Sequence, residues 1–183
     1  GVDAKGNAVT TVLEVAQEMG LATGLVATSS ITHATPAAFA SHVPDRYMEW
    51  EIARQLARAG VDVMLAGGRR WFDPSQRPDS LDLLSDLKAR YTHIQTPSEL
   101  AELNTEATER LLGLFADGHL PAAPGRSPTL PAMTRAALQV LDQDPDGFFL
   151  MVEGSQPDWR GHDGEPLDAI TAEMLDLDQA VGV

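Results

Sequence analysis

Residues 148–162 read FFLMVEGSQPDWRGH. Phe148 to Val152 is an unbroken apolar run, the mark of a strand buried on both faces of a parallel sheet. It stops at an acid, Glu153; Asp158 follows five residues later and His162 four after that. A carboxylate at the tip of a buried strand is costly unless it is paired or coordinated. A further carboxylate and an imidazole just beyond it add donors of the kind that hold hard and borderline cations. The spacing is loose, and the same residues also read as a capping or salt-bridging acid beside a surface Asp and His.

Outward from this stretch, the strand-then-helix pattern recurs. ATGLVAT (22–28), VDVMLA (61–66) and LLGLFA (111–116) read as strands, and 93–96 as a short one. Apolar periodicity predicts helices over 9–19, 47–59, 81–91, 133–141 and 166–181, with a short one over 98–103 capped by Ser98. The last long helix is expected to set Ile170, Met174, Leu175, Leu177 and Val181 on one face. Pro36 is expected to open a helical turn at its first position, and 117–131 to be loop. The alternation predicts one α/β domain: a largely parallel sheet with helices on both faces. Ligands in such folds collect at the carboxyl ends of strands, here the loops after Thr28, Ala116 and Val152.

Composition narrows the function. The 183 residues are 43% apolar, enough for a substantial core. Thirteen Lys and Arg against 27 Asp and Glu give a formal net charge of −14. That excludes a basic nucleic-acid footprint and disfavours docking on anionic lipid. An anionic substrate has to be drawn in by a local Arg or by metals. With no cysteine there are no disulfides and no thiolate zinc sites, and the compartment stays open. No apolar run is long enough for a membrane span. The chain begins at Gly1 rather than Met, so upstream sequence is expected.

A second constellation is His33-Ala34-Thr35-Pro36 with Arg46. A Thr hydroxyl can ligate a hard cation, and a guanidinium offers a planar fork to phosphate. Taken singly, Thr35 also reads as a turn former, Arg46 as a solvated face and His33 as a capping or surface residue. Trp159 reads either as a lid on the core or as a wall beside a metal site. Gly67-Gly68 lacks the rest of a phosphate-loop pattern and reads as a tight turn. His42, His93 and His119 have no partners at ligand spacing and are taken as structural or solvent-facing. No nucleophile elbow is present.

Four blocks carry a family resemblance: ATSSITHATPAAFASHVPDR (27–46), DVMLAGGRRWF (62–72), LLGLFADGHLP (111–121) and FFLMVEGSQPDWRGH (148–162). In order and content they resemble alkaline phosphatases, across nearly the whole chain. The resemblance implies a phosphate monoester hydrolase using two zinc ions and a magnesium ion, in which a serine attacks phosphorus and a phosphoserine forms. It makes Glu153 and Thr35 magnesium ligands, Asp158 and His162 ligands of one zinc, and Arg46 the clamp on two phosphate oxygens. His33 and Trp159 fall at positions that vary within the family and tune metal and phosphate affinity.

The family's nucleophilic serine has no counterpart here, nor does the Asp shared by magnesium and the second zinc. The remaining zinc ligands are missing too. The resemblance therefore implies that 1–183 is the central part of a single catalytic domain, inactive by itself. It also implies export to the periplasm or beyond, and a homodimer. A related superfamily hydrolase, a sulfatase or phosphodiesterase-like enzyme, and a non-catalytic metal-binding α/β domain are the alternatives.

Overall fold

The computed structural model describes residues 1–183. Five strands form one sheet: β1 (Ala22–Ser30), β2 (Val63–Gly67), β3 (Thr92–Ile94), β4 (Leu111–Leu114) and β5 (Phe148–Glu153). Their order is β3-β4-β2-β1-β5, and every pairing is parallel. Long crossovers are what parallel strands require, and helices supply them. The helices are α1 (Val12–Glu18), α2 (Ala34–Ala40), α3 (Glu49–Leu56), α4 (Leu83–Lys88), α5 (Pro97–Ala101), α6 (Leu130–Leu141), α7 (Gln156–His162) and α8 (Leu167–Val181).

Alternate strand residues point to opposite faces, and the core divides accordingly. Leu25, Ala27, Met64, Ala66, Leu112 and Leu114 pack on one face with Leu13, Ile52, Leu56 and Leu87 from α1, α3 and α4. Val26, Val63, Leu65 and Leu111 pack on the other with Leu100, Met133, Ala137, Val140 and Ala180 from α5, α6 and α8. The expected α/β sheet with helices on both faces is therefore present. No helix is long and apolar enough to cross a membrane.

Side-chain caps set the starts of several helices away from where periodicity predicted them. Thr11 caps α1 and Thr96 caps α5, each in a reciprocal box with a glutamate three residues on, Glu14 and Glu99. Thr96, not Ser98, is thus the cap of α5. Pro36 is the third residue of α2, which starts at Ala34. The long loop ends earlier than expected, since Thr129 caps α6 and Pro131 sits inside its first turn.

Only part of the expected apolar face of α8 faces the core: Leu177 packs against it and Ile170 is half-buried. Met174, Leu175 and Val181 are exposed, whereas Glu173 and Asp176 are buried. The reason is Arg126, buried in the loop before α6. Its guanidinium meets Glu173 Oε2 at 2.6 Å and Asp176 Oδ2 at 2.5 Å, and Nε donates to the Pro121 carbonyl. Glu173 Oε1 accepts the Ala123 N–H at 2.8 Å. Two acids and one guanidinium, with backbone groups saturating the remaining valences, pin the loop to α8. The helix is rotated so that its acids point inward. Removing the cation leaves two buried carboxylates unpaired. Arg126→Ala should lower the unfolding free energy by about 3–5 kcal/mol, read as a shift of the urea midpoint at unchanged slope. An unchanged midpoint would deny the triad its clamping role.

Candidate active site

The site forms around the carboxyl end of β1. Thr28, Ser29 and Ser30 are buried there, and Thr28 ties two other segments to the strand. Its carbonyl accepts the Leu120 N–H at 3.0 Å, and its hydroxyl oxygen accepts the Ser155 N–H at 2.9 Å. Gln156 completes the link, its buried side-chain amide donating to the Leu120 carbonyl at 2.7 Å. The loops after β1, β4 and β5 are thereby held as one body.

Gly67 makes the approach possible. A Cβ there would lie 2.0 Å from the Gly118 carbonyl oxygen. Gly68, at φ 97°, adopts a left-handed conformation that side chains disfavour, and its N–H donates to the same oxygen at 2.7 Å. The pair is a tight turn, as the sequence suggested, and it seats the loop that carries His119.

Three rings meet above the strand tip. His33 lies 5.2 Å from Trp159 and 5.4 Å from His119, both edge-on, and His119 lies 4.6 Å from Trp159. His33 precedes α2 as its N-cap residue but makes no capping bond with its side chain. Instead its Nε2 faces Arg46 Nη2 at 3.2 Å. A guanidinium only donates, so Nε2 accepts and the ring proton sits on Nδ1. That N–H is buried and has no partner in the chain. Burial, then the neighbouring His119 and Arg46, hold His33 below the ordinary histidine range, with Glu153 pulling the other way. Burial likewise lowers His119, opposed by Glu49, although part of its ring stays open to solvent.

The carboxylates sit as two separate groups. Glu153 ends β5, beside Ala27 in register. Its Oε2 accepts from the Ser155 hydroxyl at 2.7 Å and lies 3.5 Å from that of Ser29, which leaves Oε1 open. Asp158 and His162 occupy adjacent turns of α7, with Oδ1 and Nε2 3.4 Å apart and both side chains largely exposed. Thr35 is exposed in the first turn of α2. No three His, Cys, Asp or Glu side chains converge on one point.

The donor chemistry fits the ions the resemblance implies. A tetrahedral zinc with oxygen and nitrogen donors at about 2.0–2.2 Å holds neighbouring donors roughly 3.3 Å apart. The Asp158–His162 separation matches that without any rearrangement. Glu153 and Thr35 are hard oxygen donors, the type magnesium takes.

Of the predicted residues, His33, Trp159 and Arg46 form one contiguous cluster, and Asp158 and His162 form a pair. His119, read from sequence as structural or solvent-facing, belongs to the cluster. His42 bonds Glu14 at 2.7 Å and the Gly1 carbonyl, remote from these residues. His93 is half-buried beside β4. No spacing rule could have separated His119 from the other two, because its partners lie 86 and 40 positions away in sequence.

A parallel α/β sheet with helices on both faces and polar side chains gathered at its carboxyl edge is the class of scaffold in which ligands bind beyond the strand ends. The chain belongs to the alkaline phosphatase family: the family model "Alkaline phosphatase" matches residues 1–183. It is 43% identical over 189 residues to alkaline phosphatase 3 of Bacillus subtilis, covering 98% of this chain and 39% of the relative. It is 32% identical to the human tissue-nonspecific isozyme, covering 97% and 42%.

Among solved structures, alkaline phosphatase from Thermus thermophilus superposes with a TM-score of 0.91 at 37% identity, covering 99% of this chain and 39% of that one. The enzyme from the Antarctic bacterium TAB5 gives 0.90 at 37%, covering 100% and 53%. A histidine-to-glutamate mutant of the TAB5 enzyme has magnesium bound in its M3 site. The chain spans about two-fifths of the length of the curated relatives it matches.

Both depressed histidines set a pH dependence. The unfolded chain takes up protons near 6.5, before the folded one does. The stability the two neutral rings contribute is complete above that value and is lost as pH falls through their lower folded values. The ring C–H resonances of His33 and His119 should titrate below 6.5, and the urea midpoint should fall with them. Titration of either ring above 6.5 would contradict the burial argument.

Proposed function

We propose that residues 1–183 are the central part of a single catalytic domain of a metal-dependent phosphate monoesterase that works through a phosphoserine. The observation that carries this reading is Arg46 held by His33 at the carboxyl edge of the sheet, beside an Asp158–His162 pair already at zinc-ligand spacing.

Each residue has a defined task on this reading. Arg46 clamps two phosphate oxygens with its planar fork and supplies the local positive charge that a chain of net charge −14 otherwise lacks. His33 accepts one of its N–H groups and so fixes the orientation of the fork. Trp159 walls the cluster and keeps water from the far side of His33. Thr35 and Glu153 are the magnesium donors, and Asp158 and His162 are zinc donors. When bound, the ions neutralise charge on the phosphoryl oxygens and activate oxygen nucleophiles. The serine nucleophile and the remaining ligands come from outside 1–183. Support for that comes from the length of the relatives, of which the chain covers about two-fifths. The family resemblance carries with it export to the periplasm or beyond, and a homodimer.

The complete protein should hydrolyse 4-nitrophenyl phosphate in a chelator-sensitive reaction, and residues 1–183 alone should not. Arg46→Ala in the complete protein should cut kcat/KM about 10- to 100-fold, the worth of a charged hydrogen-bonded pair, and weaken inhibition by inorganic phosphate in step. Chelator-sensitive turnover by 1–183 alone would overturn the incompleteness. Faster cleavage of a sulfate ester than of a phosphate ester would favour a sulfatase.

A further inference from the structure

His119 lies outside every residue set considered so far as a ligand or a clamp, yet its ring touches both His33 and Trp159. Its Nδ1 is 2.9 Å from the Ser30 backbone nitrogen. A backbone N–H only donates, so Nδ1 is the acceptor and bears no proton. A neutral imidazole then carries its single proton on Nε2. The Ser30 hydroxyl, 3.3 Å from the same Nδ1, is compatible with that tautomer. Nε2–H makes no hydrogen bond within the chain, and His119 as a residue is exposed. The tautomer is thus locked from the strand side, and the free donor is presented on the opposite edge of the ring.

His33 contacts both groups: its Nε2 accepts from the Arg46 guanidinium, and its ring packs in a T-shaped arrangement against His119. His33 is thus the shared neighbour of the Arg46 guanidinium and the His119 ring. The loop is rigid enough to hold a donor in place. Gly118 is locked against Gly67 and Gly68, and Leu120 is bonded to both Thr28 and Gln156. Preorganised neutral donors of this kind add to anion binding without the cost of burying another charge.

We infer that His119 is a substrate-binding residue, donating Nε2–H to an oxygen of the phosphoryl group held by Arg46. The inference rests on the phosphatase reading above.

Two isosteric variants separate this role from a structural one. In His119→Asn the amide oxygen replaces Nδ1, so the Ser30 bond survives and the Nε2 donor is lost. In His119→Gln the amide nitrogen reaches the Nε2 position, so the donor survives and the Ser30 bond is lost. Both are assayed in the complete metal-loaded protein with 4-nitrophenyl phosphate, and with inorganic phosphate as inhibitor. Thermal melting verifies folding.

His119→Asn should raise KM and the inhibition constant for inorganic phosphate together, about tenfold, as expected for one hydrogen bond to a charged group. His119→Gln should recover part of that loss despite a lower melting temperature. Unchanged phosphate inhibition in His119→Asn overturns the inference, and so do losses that follow the melting temperature, larger in Gln than in Asn. If the unaltered protein neither cleaves the ester nor binds phosphate by calorimetry, the phosphatase reading itself falls and takes this inference with it. An active wild type with indifferent variants removes the inference alone.

Discussion

The interaction on which the site depends is the double use of Thr28. β1 is a long, almost wholly buried strand flanked by β2 and β5, and its backbone near the tip has groups left over where β5 ends. Buried backbone and hydroxyl groups must find partners. Thr28 finds them in the loops after β4 and β5, through the Leu120 N–H and the Ser155 N–H. The bonds satisfy a local requirement of the sheet, and their consequence is functional. They place His119 on one side of the strand tip and Glu153 with α7 on the other, while His33 follows directly from β1.

A second constraint works at longer range. The loop between β4 and α6 is rich in Gly, Pro and Ser, and nothing in its composition would order it. Arg126 orders it from the far end by seating between Glu173 and Asp176. The loop carrying His119 is therefore fixed at three places: against Gly67-Gly68, against Thr28 with Gln156, and against α8. That arrangement partly reverses the usual sense of an amphipathic helix. α8 turns Glu173 and Asp176 inward beside Leu177 and leaves Met174, Leu175 and Val181 to solvent, so apolar periodicity was only a partial guide to its orientation.

Sequence patterning located all five strands and most helices, because buried parallel strands are continuous apolar runs and the longer helices between them keep their period; it read the segment after Val152 as loop, where α7 stands, and only a turn at Pro36, where α2 stands. Element ends were less legible. Thr11, Thr96 and Thr129 start their helices through side-chain bonds that compete only weakly with other loop residues in a sequence reading. The site was legible where its residues are close in sequence. Glu153, Asp158, Trp159 and His162 fall within one strand–helix unit, and His33, Thr35 and Arg46 within another. His119 was not legible, since its meaning comes from rings contributed by two other loops.

By itself, the sequence determined the α/β class, the parallel sheet, the chain's place in the alkaline phosphatase family, and a set of metal-type and phosphate-type side chains at strand ends. Those follow from local hydrophobic period and from motifs carried on contiguous residues. Only the tertiary structure decided the direction in which α8 faces, the tautomers of His33 and His119, the pairing of Asp158 with His162 at 3.4 Å, and the membership of His119 in the ring cluster. Each of these depends on which partner a polar group meets across the fold, and a polar group's partner is set by how the crossovers stack segments that sequence keeps far apart.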